Sequence, residues 1–88
     1  MKFVYLYKKE NCDACKDAKE LLLEDINLTI VEINIEADPL AEIGIKLLMN
    51  TNKLVIPIIV KPTKGVYILS SNKPRQLVRL VSLEVDPS

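Results

Sequence analysis

The chain has 88 residues, 49% hydrophobic and 27% charged, with 12 basic and 12 acidic residues that cancel. That length suits one small domain with a single core and leaves no room for a second, and the composition excludes a disordered chain. Neutrality, with no Lys/Arg cluster interleaved with aromatics, points away from nucleic acid; the absence of histidine removes Cys₂His₂ zinc, Ser-His and Cys-His nucleophiles and any imidazole base.

Met1-Lys2 is followed only by Phe3 to Leu6 before Lys8-Lys9-Glu10, too short an apolar stretch for a signal peptide or a membrane span. A soluble, cytoplasmic protein without membrane contact is expected. Phe3-Val4-Tyr5-Leu6-Tyr7 is continuously apolar or aromatic and predicts a central strand covered on both faces. A short loop follows, and Asn11 or Cys12 caps a helix running to about Glu24. Ala14, Ala18, Leu21 and Leu22 recur at one-face spacing with Cys15 beside them, while Lys16, Asp17, Lys19 and Glu20 take the other side.

Leu28 to Ile35 predicts a second strand, with Thr29, Val31, Ile33 and Ile35 on one face. Asp38-Pro39 opens a second helix as N-cap and first helical residue. Leu40, Ile43, Leu47 and Leu48 are its apolar positions, Gly44 costs it roughly 1 kcal/mol against Ala, and Asn50-Thr51-Asn52 ends it. Leu54 to Val60 is strand-like except at Pro57, which marks a sheet edge or a kink at the strand's start. Lys61 to Gly65 turns the chain into a hairpin partner, Val66 to Leu69. Ser71-Asn72-Lys73-Pro74 then reads as the cap of a last amphipathic helix carrying Leu77, Val78, Leu80 and Val81, and Asp86-Pro87-Ser88 as a frayed end.

The only two cysteines stand three positions apart in Asn11-Cys12-Asp13-Ala14-Cys15-Lys16, at the mouth of the first helix. A bridge between them closes too small a ring to staple distant parts of a fold, so its use is chemical. A lone pair of this kind in a reducing compartment is catalytic or metal-binding more often than a standing cross-link, and C-x-x-C between a strand and a helix reads as a redox pair. Cys12, at the helix mouth, sees unpaired amide N–H groups that favour its thiolate; Cys15, one turn in, is the more buried. Cys12 is therefore expected to attack and Cys15 to resolve.

The element order β-α-β-α-β-β-α predicts an α/β fold with parallel first strands and an antiparallel closing hairpin. In three places the sequence resembles the thioredoxin superfamily, and most closely a small glutaredoxin. Lys9-Glu10-Asn11-Cys12-Asp13-Ala14-Cys15-Lys16 looks like the family's basic residue and C-x-x-C; Val31 to Pro39 is similar to its second strand and the acidic approach to its second helix; Val55-Ile56-Pro57 resembles its hydrophobic-Pro signature. The resemblance implies a thioredoxin fold of three helices on a four-stranded mixed sheet in order 2-1-3-4, with the first and last helices on one face. It also implies a cis Pro57, with Ile56, Pro57 and Lys9 meeting the substrate. From the residues alone, a trans proline at a sheet edge is the base-rate reading, and only the resemblance lifts cis above it.

The implied activity is reduction of protein disulfides by dithiol exchange in a monomer that needs no cofactor beyond the dithiol. Its electron donor would be glutathione or a flavoenzyme of the thioredoxin-reductase type. Ser70-Ser71-Asn72-Lys73 replaces the Gly-Gly and acidic residues with which glutaredoxins hold glutathione, and Asp13-Ala14 replaces their Pro-Tyr, so the flavoenzyme is favoured. Lys9 and Lys16 would stabilise the Cys12 thiolate and Asp13 would oppose it, or all three are simply solvated surface and dipole-compensating charge. Two other readings stay open: a Cu(I)- or zinc-binding module using the two thiolates, and a non-catalytic thioredoxin-fold interaction protein.

Overall fold

The computed structural model describes residues 2–62 and 64–81. Chain order is β1 (Lys2–Lys8), α1 (Asp13–Leu22), β2 (Leu28–Asn34), α2 (Pro39–Met49), β3 (Ile58–Lys61), β4 (Gly65–Leu69) and β5 (Leu77–Val81). The strands form one sheet in order β2-β1-β3-β4-β5. β1 and β2 run parallel, and the β1–β3, β3–β4 and β4–β5 pairs are antiparallel. The expected 2-1-3-4 order is therefore present, extended by one strand.

Strand alternation divides the core in two. Val4, Leu6 and Ile59 point to one face and pack on Ala18 and Leu22 of α1. Ile58, Val60 and Val66 point to the other and pack on Ile45 of α2, with Tyr5, Tyr7, Met49 and Ile56 around them. The helices thus cover opposite faces. Burial pushes the Tyr7 hydroxyl above its ordinary 10, with Tyr5 and Asp38 adding to the effect. Tyr67 packs against the first cluster under the ammonium of Lys61, 5.0 Å from the ring centroid.

Local signals fix the ends of α2. The Asp38 carboxylate accepts the Ala41 N–H at 3.2 Å, and Pro39 opens the helix. Asn50 takes the left-handed conformation (φ 52°, ψ 50°) at its end, where Asn50 N–H donates to Leu47 C=O and Thr51 N–H to Lys46 C=O.

The structure corrects two expectations. No third helix occurs among the described residues; 77–81 forms β5 instead. Ser, Asn and Pro serve turns as well as helix caps, and here Gln76 N–H closes a turn on Lys73 C=O with Pro74 at its second position. Pairing of 77–81 with β4 satisfies that strand's outer edge. Residues 86–88 lie outside the described residues. The second correction concerns α2: Leu40, Ile43 and Leu47 are 80%, 54% and 76% exposed, while Ile45 is buried. Its sequence is apolar nearly all round, so spacing alone offers two candidate inner faces and the sheet takes only one.

Candidate active site

β1 delivers the chain to the site. Beyond Lys8, the loop is tied to the segment that follows β2: Ile35 N–H donates to Lys8 C=O at 2.9 Å, Glu10 N–H to the Glu36 carboxylate at 2.7 Å, and the Asn34 carboxamide to the Glu10 carboxylate at 3.0 Å. Glu36 N–H in turn donates to the Asn34 side-chain oxygen at 2.9 Å. Asn11 then turns the backbone through the left-handed region (φ 53°), which Asn tolerates better than most residues. The turn leaves Cys12 extended (φ −113°, ψ 102°) as the N-cap of α1.

In that position Cys12 fills the role of a capping Ser or Asp. Its sulfur accepts the Cys15 N–H at 3.1 Å, and its carbonyl accepts the first helical bond, from Lys16 N–H at 3.2 Å. Cys12 and Cys15 are joined as a disulfide with Cα atoms 5.2 Å apart. Cys12 is partly exposed; Cys15 is 5% exposed. Cys12 is the more exposed partner, at the positive end of α1, and Cys15 the buried one.

A groove of about 270 Å³ opens beside the disulfide, lined by both cysteines with Lys8, Lys9, Lys16 and Lys19. Glu10 and Glu32 supply its only carboxylates among the described residues. Glu32 bridges Lys8 and Lys19, each at 3.1 Å. Hydrogen bonding from Lys8, then from Lys19, holds its carboxyl below the ordinary 4.5.

Of the sequence-predicted residues, Lys9 and Lys16 share this groove with the cysteines. Asp13 is exposed in the first turn of α1. The Ile56–Pro57 peptide is cis, and Pro57 is buried immediately before β3. Tyr7 pairs with Ile58, so Pro57 stands level with Lys8 at the end of the sheet from which the chain leaves for Cys12. Pro57 therefore marks the start of an interior strand, and the sheet-edge alternative is not the one adopted.

Sequence reasoning missed Lys8, Lys19, Glu32 and the Glu10–Asn34–Glu36 latch. The usable signal was the expected parallel pairing: an aligned β1 and β2 brings Glu32 and Asn34 to the end of β1 that carries Lys8. Among the described residues no group of three Cys, Asp or Glu side chains could hold a metal ion.

The sequence model of the glutaredoxin family matches residues 4–66. No curated protein matches the sequence. Among solved structures, a crystal structure of thioredoxin from Plasmodium falciparum is similar with a TM-score of 0.45 and 19% identity, over 94% of this chain and 59% of the thioredoxin chain. This chain thus spans about three fifths of that thioredoxin's length. A family match over most of the sequence, together with a cysteine pair at the mouth of α1, supports thiol-disulfide redox activity in general terms, and the chain belongs to the glutaredoxin family.

Proposed function

We propose that the protein is a thiol-disulfide oxidoreductase that reduces protein disulfides through Cys12-Asp13-Ala14-Cys15. One observation carries the reading: Cys12, partly exposed, caps α1 through its sulfur and is bonded to the buried Cys15. In the reduced protein the Cys15 N–H and the positive end of α1 favour the Cys12 thiolate. That thiolate attacks one sulfur of the substrate disulfide; the substrate S–S bond breaks, a mixed disulfide forms, and the departing sulfur takes up a proton. Cys15 then loses its proton and attacks the Cys12 sulfur, releasing the second substrate sulfur as a thiolate that is protonated in turn. Two electrons and two protons have passed to the substrate, and the protein is left with the Cys12–Cys15 bond.

Restoring the dithiol takes an external two-electron donor, for which we propose a flavoenzyme of the thioredoxin-reductase type ahead of two molecules of glutathione. Ile56 is proposed to pair its backbone with an extended substrate segment, supported by the position of Pro57 level with Lys8. The test is reduction of a protein disulfide with either donor system, together with the equilibrium potential of the Cys12/Cys15 couple. Reduction dependent on both cysteines supports the reading. A folded chain inert with either system, yet binding Cu(I) or zinc stoichiometrically when reduced, would replace it with the metal-handling alternative. Inertness in all of these assays would leave an interaction module.

A further inference from the structure

The disulfide has two flanks. β3 and β2 lie on opposite edges of β1, with Ile56–Pro57 on the β3 side and the lysine groove, which includes Glu32 of β2, on the other. Among the described residues the groove carries four lysines against two carboxylates, an excess of two positive charges in a chain whose 12 basic and 12 acidic residues cancel. Glu32 is already shared by Lys8 and Lys19, and Glu10 accepts from Asn34. Lys9 and Lys16 form no ion pair among the described residues, and both are exposed.

Two acids of α1 neighbour Lys16 at helical spacing, Asp13 three residues before it and Glu20 four after, yet neither pairs with it among the described residues. Glu20 is engaged instead by Arg75 at 3.7 Å, which also holds Glu24, just beyond α1, at 2.8 Å. Lys16 thus stands beside the cysteines without an ion-pair partner among the described residues.

We infer that this β2-side groove selects acidic polypeptide substrates, in which carboxylates close to the disulfide settle on Lys16, Lys9 and the Lys8–Lys19 pair. The inference rests on the redox reading above and adds its specificity. Exposed charges at such a distance act chiefly on encounter and register, so their effect is on kcat/KM and is screened by salt.

The test uses the full chain, recycled with dithiothreitol, and two disulfide-bridged peptides identical except for Glu or Gln flanking the cysteines. The Glu peptide is expected to be reduced about tenfold faster at low ionic strength, with the gap closing at roughly 0.5 M salt. Lys16→Glu is expected to abolish or reverse the preference, and Lys53→Glu, the same charge change outside the groove, to leave it. A change at Lys16 that acted through the thiolate would alter both peptides alike, so the readout is the ratio of the two rates. Equal rates in the unaltered protein would overturn the inference and leave the redox reading intact, as would loss of the preference in Lys53→Glu. Failure to reduce either peptide would instead remove the redox reading itself.

Discussion

The backbone N–H of Cys15 donates to the sulfur of Cys12 at 3.1 Å, so the residue bonded to Cys12 through its side chain also supplies the donor that would hold Cys12 as an anion once that bond is cut. The two cysteines are accordingly not equivalent. Cys12→Ser should abolish disulfide reduction, whereas Cys15→Ser should retain the first step and accumulate a mixed disulfide with substrate, resolvable by mass spectrometry on non-reducing samples. A trapped adduct on Cys15 in the Cys12→Ser protein would reverse the assignment.

Asn11 sets the approach to that cap. Its left-handed backbone is easily adopted by Gly and strained in a β-branched residue. Asn11→Gly should keep stability within about 0.5 kcal/mol, while Asn11→Val should cost about 1–2 kcal/mol in urea unfolding. Equal stabilities would mean that the turn is not maintained in solution.

Glu32 makes the groove sensitive to acid. Its carboxyl is held below 4.5 in the folded protein, first by Lys8 and then by Lys19, so it favours the folded state above the unfolded carboxylate range. That contribution is lost as pH falls through the lower folded midpoint. An NMR titration should place the Glu32 midpoint below 4.5, and Lys8→Met should move it upward. Asp25, held low first by the hydrogen bond from Lys2 and then by the N–H of Asn27, should move upward in Lys2→Met and not in Lys8→Met.

The orientation of α2 gives a contrast within one helix. Ile45→Ala should cost about 2–5 kcal/mol, because the side chain is 1% exposed between α2 and the sheet. Leu47→Ala, at a site 76% exposed, should stay within about 0.5 kcal/mol. Thermal or urea unfolding decides between this arrangement and the other apolar face of the helix, on which Leu47 would be the costly residue.

The cap of the same helix offers a smaller effect. Asp38→Ala removes the acceptor for the Ala41 N–H and should cost about 1 kcal/mol, lowering the midpoint by about 4–8 °C in a domain of this size. Asp38→Asn should recover most of it, since the amide oxygen still accepts.

What the sequence determined by itself was carried by neighbours along the chain. A cap at Asn11 or Cys12 with Cys15 one turn deeper, Asp38-Pro39 opening α2, the Asn50-Thr51-Asn52 run closing it, and a break in the Leu54–Val60 run at Pro57 all follow from local backbone chemistry that needs no partner elsewhere. What only the tertiary structure decided lay where two local solutions were nearly equal, or where charges arrived from separate elements. The 71–81 stretch could cap a helix or turn into a strand, and the open edge of β4 settled it. α2 had two apolar sides, and the sheet buried the one that carries Ile45. The groove beside the disulfide exists because parallel pairing of β1 with β2 brings Lys8 and Glu32 to the helix edge that carries Lys16 and Lys19. Residues so far apart in the chain have no periodicity to betray them; their relation is created only when the strands align.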